Sequence, residues 1–262
     1  MKIRIVPIPN HSRYLHIEPK YGYGKIIVPV GCDCHPAYVL EKLNIRIQSL
    51  PFDWLDIEPV NCLSYVHQNL ANKFQMFVAD PIRNEKGNII SRAYPSAEFL
   101  HEKDLIESLA DQQKMQRRAL RLMDLYGKEP CAFMHNIPSR ALSSIGNIEQ
   151  ISDHIQRFMD LIKPSDTLHI YIRYDESLEE NRSHCELLKI KRIPACYCCR
   201  SHSSQRKERY LGRPGTIPDL LRSIRIEIHR KFPKSFCEVI VILVLRMSRS
   251  TRIMQDRATY DS

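Results

Sequence analysis

Hydrophobic and polar residues alternate along the chain with two periods, one typical of strands and the other typical of helices. Short apolar runs bounded by turn residues predict strands, and apolar residues spaced three or four positions apart predict amphipathic helices. Strands are predicted at residues 2–7, 26–30, 132–135, 168–172, 194–199 and 236–245, helices after residue 36 and at 63–77, 105–126, 151–162, 178–190 and 221–228, and a loop or hairpin at 80–95. Because strands and helices alternate, we predict an α/β fold whose central sheet, mainly parallel or mixed, is flanked by helices.

The length of 262 residues and the apolar fraction of 43% allow a single packed α/β domain over residues 1–262. The formal net charge of +9 is concentrated late in the sequence, where 14 basic side chains accompany 6 acidic ones between Arg200 and Ser262. A basic segment attracts polyanions through long-range electrostatics. This segment is therefore a candidate contact for an anionic partner such as nucleic acid.

The nine cysteines are odd in number and partly clustered, unlike the disulfide framework of a small secreted domain. No apolar run is long enough to cross a bilayer, the longest being residues 239–245, and the N-terminal residues lack a signal-peptide pattern. We therefore expect free thiols, no membrane span and a cytoplasmic location.

Four side chains of metal-binding type lie close together in the last third of the sequence, namely Cys196, Cys198, Cys199 and His202. They offer ligands for a tetrahedral zinc site, but their spacing differs from that of paired CxxC knuckles, and ordinary strand cysteines are the simpler interpretation. The sequence also lacks the GxGxxG, Walker A, HExxH and GxSxG motifs. We therefore predict neither a metal nor a cofactor.

One cysteine lies where a predicted strand turns into a helix. The strand at 26–30 runs into Gly31, Cys34 follows, and Pro36 suits the first turn of the next helix. Unpaired N–H groups at a helix start favour a thiolate, so Cys34 is a candidate nucleophile. A small buried residue in a tight turn is the alternative interpretation.

A cysteine nucleophile needs a general base, which is normally a histidine. Among the 11 histidines, His135 ends an apolar strand, the place where catalytic groups of α/β proteins collect. His35 is adjacent to Cys34 in sequence but would point elsewhere on a helix, and His169 alternates with core residues. His135 is therefore the favoured base.

Four blocks of the sequence carry a family resemblance. In order they are VPVGCDCHPAYVLEKLNIR, SLPFDWLDI, YGKEPCAFMHNIP and IQRFMDLIKPSDTLHIYIR, and together they cover roughly residues 26–175. They resemble the bacterial proteins described as putative papain-like cysteine peptidases, the DUF1796 family. The resemblance implies that residues 1–175 hold the family-like catalytic part. Beyond residue 175 the resemblance is faint, and we expect residues 176–262 to form a basic C-terminal part of the same domain.

The resemblance further implies a cysteine and histidine pair, with Cys34 as nucleophile and His135 as base. A third polar group would hold the imidazole, and the candidates are Asp53, which is preferred, and Asn136. Asp53 has an alternative interpretation as a turn residue. A papain-like protein would have an α+β fold, the alternative to the α/β prediction. Since no glutamine precedes Cys34 in its strand, backbone N–H groups of residues 32–34 would stabilise an oxyanion.

Two functions remain as alternatives. The first is a cysteine peptidase or a related thiol-dependent acyl hydrolase or acyltransferase, acting on a peptide or another acyl substrate. The second is a non-enzymatic binding protein in which Cys34 is structural and the basic C-terminal segment contacts an anionic partner. The family resemblance favours the enzyme.

Overall fold

A computed structural model of the chain describes residues 2–8, 11–16, 20–174, 196–200, 221, 226 and 229–231, and the side chains of residues 23–173, 221 and 226. The chain divides into two units, one made of residues 1–20 and 230–262 and the other of residues 21–229. In the first unit, strands β1 (Lys2–Ile8) and β2 (His11–His16) form an antiparallel hairpin. The strand predicted at residues 2–7 is therefore confirmed.

A four-stranded parallel sheet forms the centre of the second unit. Strand β3 (Lys20–Gly22) comes earlier in the sequence and does not belong to this sheet. The sheet consists of β4 (Ile26–Pro29), β9 (Cys131–Pro138), β10 (Thr167–Tyr174) and β11 (Cys196–Arg200). They are arranged in the order β11-β10-β9-β4, and each neighbouring pair is parallel. The predicted α/β class and its central strands are confirmed, and the carboxyl ends of the four strands meet at one edge of the sheet.

The second unit also contains an antiparallel sheet, so the fold combines parallel and antiparallel strand pairs. Its strands are β5 (Asp56–Ile57), β6 (Pro81–Arg83), β7 (Ile89–Ser91) and β8 (Ala97–Glu98), in the order β5-β8-β7-β6. Strands β6 and β7 form the hairpin predicted within residues 80–95. The strands have only two or three residues each, too few for the alternation of apolar and polar residues to predict them.

Four α-helices and one 3-10 helix surround the parallel sheet in the described ranges of the second unit. They are α1 (His35–Lys42), α2 (Cys62–Ala71), α3 (Leu109–Lys128), the 3-10 helix (Ser139–Leu142) and α4 (Ile145–Leu161). The Oγ of Ser108 accepts a hydrogen bond from the Asp111 N–H, and this cap explains why α3 begins later than its apolar pattern predicted.

The parallel sheet is buried on both faces. Along β9, Phe133 and Ile137 belong to the larger apolar cluster, which includes side chains of α2, α3 and α4. Ala132 and Met134 belong to the smaller cluster, which includes side chains of α1. Because successive strand residues point to opposite faces, residues 135 and 136 also face opposite sides of the sheet.

Helix α2 ends before its apolar stripe does. Its periodicity predicted a helix over residues 63–77, but the helix ends at Ala71 and the backbone of Lys73 turns to a left-handed φ of 55°. The N–H of Phe74 then donates to the Asn69 carbonyl at 2.7 Å, as in a Schellman motif. Phe74 remains buried. The stripe therefore predicted the core residues correctly and the extent of the helix incorrectly.

Replacing Lys73 with glycine should stabilise the protein by about 1 kcal/mol, because glycine adopts the left-handed conformation without the steric cost of a Cβ. The Lys73 side chain is exposed, so little packing is lost. Urea unfolding of the variant measures the gain. Gln75→Gly, at a neighbouring exposed position with no left-handed φ, should destabilise instead, and equal effects of the two substitutions would contradict the explanation.

The remaining predictions fall largely outside the described residues. The helix at 178–190 and the strand at 236–245 lie there entirely, as does most of the basic segment. Of the helix predicted at 221–228, Leu221 and Ile226 are described, and both belong to the smaller apolar cluster. Strand β12 (His229–Lys231) is the last described element. None of the described helices combines the length and apolar character that spanning a bilayer requires.

Candidate functional site

The candidate site lies at the carboxyl edge of the parallel sheet. Strand β4 leads into residues 31–34, which we call the Cys34 turn, and α1 begins directly after it. Arg140 follows the end of β9, and Arg173 lies near the end of β10. In open α/β sheets, ligands bind in the crevice outside the carboxyl ends of the strands. The predicted nucleophile is therefore placed where this fold class binds its ligands.

Cys34 is the residue immediately before α1, and its carbonyl accepts the helical hydrogen bond from Tyr38 at 3.0 Å. Its side chain is partly exposed. The other cysteines whose side chains the structure describes, Cys32, Cys62 and Cys131, are buried. Within this part of the chain, Cys34 is thus the thiol that a reagent or substrate can reach.

The expected acidification of Cys34 by the helix start is outweighed by other effects. Burial raises the pKa of the Cys34 thiol, and the Asp33 carboxylate raises it further. A backbone hydrogen bond and the Arg173 guanidinium act in the opposite direction, but the net shift of the pKa is upward. In the free protein the thiol is therefore protonated at neutral pH.

His135 lies in β9 and is buried, with 1% of its surface exposed. Its Nδ1 is 2.9 Å from the carbonyl oxygen of Val30, and because a carbonyl can only accept, the ring carries its proton on Nδ1. The lone pair is then on Nε2. Burial lowers the pKa of His135 to about 4, against a smaller opposing effect of the Val30 hydrogen bond. His135 is therefore a neutral imidazole at pH 7, in the protonation state of a base.

Cys62, which the sequence analysis did not single out, contacts His135. Its Sγ lies 3.9 Å from His135 Nδ1 and donates a hydrogen bond of 3.4 Å to the Val30 carbonyl. The Cys34 thiol, in contrast, makes no hydrogen bond with His135 among the described contacts. Cys62 opens α2 directly before the predicted apolar stripe over residues 63–77, and no local signal links it to Val30, 32 residues earlier.

Asn136 holds the Cys34 turn. Its Oδ1 accepts a hydrogen bond from the Cys32 N–H at 3.1 Å, and its Nδ2 donates to Asp33 Oδ1 at 2.9 Å. Since it faces the opposite side of the sheet from His135, it contacts the turn instead of the imidazole. The structure thus brings Asn136 next to the loop that carries Cys34, and it places the Val30 carbonyl against His135.

Asp33 connects the turn to two further elements. Its Oδ1 also accepts a hydrogen bond from the His35 N–H at 3.0 Å, and its Oδ2 forms an ion pair with Arg173 Nη2 at 2.6 Å. Burial opposes ionisation of Asp33, but Arg173 and the His35 N–H hold the pKa of its carboxyl below the usual range. Asp33 is a second residue that the sequence analysis missed, although it directly precedes Cys34.

Asp53 lies in a separate network within the loop before β5. Its Oδ2 accepts hydrogen bonds from Arg46 Nε at 3.1 Å and from the Leu50 N–H at 2.9 Å, and it also pairs with Arg46 Nη2. The Arg46 guanidinium lies over the Trp54 ring, 5.2 Å from its centroid. No described hydrogen bond joins Asp53 to His135. The contacts of Asp53 stabilise the loop that contains the PFDWL segment.

The two other histidines considered above are also buried. Nδ1 of His35 lies 2.5 Å from the Tyr171 hydroxyl, on the face of the sheet that α1 covers. Nε2 of His169 lies 2.9 Å from the Thr167 hydroxyl. Burial, followed by the Arg173 charge, lowers the pKa of His35 to about 4. His35 is thus neutral at pH 7, like His135.

Gly31 leaves room for the contact between the turn and β9. A Cβ at this position would lie 2.1 Å from Asn136 Oδ1 and 2.5 Å from Pro36 Cγ, both well inside van der Waals contact. Glycine is therefore required here because of close approach.

Replacing Gly31 with alanine should destabilise the protein by about 1–3 kcal/mol, because the methyl group must displace Asn136 and the Pro36 ring. Urea unfolding measures the loss. Gly146→Ala is the matched control, since a Cβ at Gly146 meets nothing within 4 Å and lies in the first turn of α4. A Gly31→Ala variant as stable as this control would contradict the steric explanation.

A metal centre finds no support in the described part of the chain, where no group of three or more His, Cys, Asp or Glu residues is arranged to hold an ion. The zinc alternative concerns other residues. The backbone of Cys196–Arg200 forms β11, while the side chains of that strand and the whole of His202 lie outside the described residues.

Comparison with known proteins identifies the family. Residues 25–192, well over half of the chain, match the model of the family described as "Putative papain-like cysteine peptidase (DUF1796)". Searches of curated proteins and of solved structures gave no significant match. The matched range contains the Cys34 turn, β9 with His135, and the Asp33–Arg173 ion pair. The chain therefore belongs to the DUF1796 family, which is described as putative papain-like cysteine peptidases.

Proposed function

We propose that this protein is a thiol-dependent acyl hydrolase of the cysteine peptidase type, or a related acyltransferase, with Cys34 as nucleophile and His135 as general base. One observation carries the proposal. Among the cysteines whose side chains are described, the single accessible thiol precedes a helix at the carboxyl edge of a parallel sheet. That is a suitable place for a group that attacks a bound acyl substrate.

The proposed reaction has two steps. First, His135 Nε2 takes the Cys34 proton, the sulfur attacks the acyl carbon, and His135 returns the proton to the departing amine or alcohol. This leaves a thioester at Cys34. In the second step, His135 takes a proton from water, the resulting hydroxide displaces the sulfur, and the thiol regains its proton. An acyltransferase would use an amine or alcohol in place of water.

The tautomer of His135 supports its role as base. A neutral ring with its lone pair on Nε2 can accept a proton, and the Val30 carbonyl fixes this tautomer. In this proposal the Val30 carbonyl orients the ring, a task that the sequence analysis gave to Asp53 or Asn136. Catalytic hydrogen bonds are often long in free enzymes and shorten when substrate binds, so the Cys34–His135 bond is expected to form with substrate.

Backbone N–H groups of the Cys34 turn are the proposed oxyanion donors. The Cys32 N–H already donates to Asn136. The Cys34 N–H interacts with its own thiol and lowers the pKa of that thiol, and the Asp33 N–H makes no hydrogen bond within the described part of the chain. Donors placed at a developing oxyanion stabilise the transition state without reorganisation.

The pH dependence of alkylation at Cys34 is the first expected result. Because burial and Asp33 raise the pKa of this thiol, its reaction with iodoacetamide should be slow at pH 7. The rate should then rise by about tenfold per pH unit, up to and beyond pH 9, as thiolate forms. Peptide mass spectrometry after timed alkylation measures the rate at each cysteine separately. A rate at Cys34 that is already constant from pH 5 to 7 would show a preformed thiolate and contradict this result.

Acylation by p-nitrophenyl acetate tests the function itself. The expected result is a burst of nitrophenolate that leaves an acetylated peptide containing Cys34, followed by slow turnover. Cys34→Ser should abolish the burst. His135→Asn keeps a side-chain N–H for the Val30 carbonyl but removes the base, so the burst rate should fall by about 100-fold or more.

Cys131→Ser is the matched control, because this buried thiol lies at the opposite end of β9 from the Cys34 turn. It should leave the burst unchanged. Acetylation distributed evenly over several cysteines, or a burst that His135→Asn does not slow, would disprove the proposed function.

A further inference from the structure

We propose that Asp33 is the positioning residue of the site, because its carboxylate ties the Cys34 turn to the ends of β9 and β10. The proposal rests on the proposed function, since it concerns how the nucleophile of that reaction is held. It gives Asp33 and Asn136 a shared role as a clamp on the turn.

Three contacts carry the argument. The Asp33 Oδ1 accepts hydrogen bonds from Asn136 Nδ2 at 2.9 Å and from the His35 N–H at 3.0 Å. The Oδ2 pairs with Arg173 at 2.6 Å. Asn136 belongs to β9, Arg173 to β10, and His35 to the first turn of α1. One carboxylate therefore connects the turn to three elements.

Partial burial makes these contacts effective. The side chains of Asp33 and Arg173 are 23% and 13% exposed, so water screens their charges less than at an open surface. Asn136 is fully buried and also accepts the Cys32 N–H. The backbone is thus held at Cys32 and at His35, and the position of the Cys34 sulfur between them follows from this.

The same carboxylate has an electrostatic cost. The charged groups that act on Cys34 are Asp33 within the turn, Asp56 on β5 and Arg173 on β10. The two carboxylates oppose a thiolate, and Arg173 favours it. Asp33 thus holds the Cys34 turn in place and adds to the effect of burial, which raises the pKa of the Cys34 thiol, so removing its charge and removing its contacts should have different effects.

Asp56 is the matched control for charge. It also disfavours the Cys34 thiolate, but its carboxylate is exposed and makes no described side-chain hydrogen bond to the turn. Asp56→Asn therefore removes a charge without loosening the turn. Asp33→Asn removes the charge and the ion pair but keeps an oxygen for Asn136 and the His35 N–H. Asp33→Ala removes all three contacts.

Amide hydrogen exchange measures directly how firmly Asp33 holds the Cys34 turn. The amide N–H groups of Cys32 and His35 should exchange about tenfold faster or more in Asp33→Ala than in the unaltered protein. Exchange should be nearly unchanged in Asp56→Asn and intermediate in Asp33→Asn. Equal exchange in Asp33→Ala and Asp56→Asn would overturn the proposal.

Chemistry at Cys34 provides the second readout. Both Asp33 variants should shift the iodoacetamide profile to lower pH, by enough to raise the rate at pH 8 by about threefold. The acetylation burst, compared at equal thiolate fraction, should fall by about tenfold in Asp33→Ala and be largely restored in Asp33→Asn. A burst that Asp33→Ala leaves intact would overturn the positioning role.

The two proposals fail in different ways. If the unaltered protein shows no burst dependent on His135, the proposed function fails, while exchange and alkylation still report on the clamp. If the burst is present but exchange at Cys32 and His35 does not depend on Asp33, the clamp fails and the function stands.

Discussion

Acidification from pH 6.5 to 4 should cost the protein about 3 kcal/mol of unfolding free energy for each of two buried histidines, His35 and His135. Burial lowers the pKa of both to about 4 in the folded protein, whereas an unfolded histidine titrates near pH 6.5. Between these values the unfolded chain binds more protons than the folded one. Stability therefore falls as the pH falls through this window.

Urea unfolding at pH 7, 6, 5 and 4.5 measures this effect. His135→Asn keeps a donor for the Val30 carbonyl but cannot titrate, so its pH slope should be smaller than that of the unaltered protein by up to about 1.4 kcal/mol per pH unit. His35→Asn should remove a similar part. Identical slopes in the unaltered protein and in both variants would contradict burial as the cause.

Replacing Asp53 with alanine should destabilise the protein by about 3–5 kcal/mol, because the mostly buried Arg46 guanidinium loses its buried carboxylate partner and keeps only the exposed Glu41, 3.6 Å away, and the Ser49 hydroxyl. The Asp53 side chain is 1% exposed and that of Arg46 is 16% exposed. Denaturant unfolding measures the loss. Asp53→Leu combined with Arg46→Met removes both charges and should cost less than Asp53→Ala alone.

The Asp53→Ala variant also separates the two interpretations of Asp53, as a residue that stabilises its loop and as one that orients His135. If it only stabilises the loop, the pH profile of alkylation at Cys34 should not change in Asp53→Ala, since Asp53 is not among the charges that act on that thiol. If Asp53 oriented His135, the acetylation burst would slow and its pH profile would shift. A loss of less than about 1 kcal/mol would contradict the role in the loop.

The sheet and α1 could be predicted because their sequence signals are local. The strands β4 and β9 are mainly apolar runs, β10 alternates apolar with polar residues, and Pro36 and Gly31 mark the turn between β4 and α1. The end of α2 could not be predicted in the same way. A lysine occupies the left-handed position where glycine is usual, so the sequence carries no stop signal there.

The candidate site could be predicted only in part. Cys34 was proposed from its place after an apolar strand and His135 from its place within one, and the alternation of side chains along β9 implies that His135 and Asn136 face opposite sides. The contacts of His135 with Val30 and Cys62 join distant parts of the chain, so no local pattern reveals them. The raised pKa of Cys34 depends on burial, which sequence does not give, and on Asp33, which it does.

The clamp on the Cys34 turn also affects the order in which the site can form. Its hydrogen bonds to Asn136 and Arg173 span 103 and 140 residues. Contacts of such long sequence separation form slowly, because the entropy of closing a large loop must be overcome first. During synthesis the turn therefore emerges well before its partners, and the nucleophile is fixed in place only after β10 has joined the sheet. A chain interrupted before Arg173 would contain the proposed catalytic cysteine and histidine but lack an assembled site.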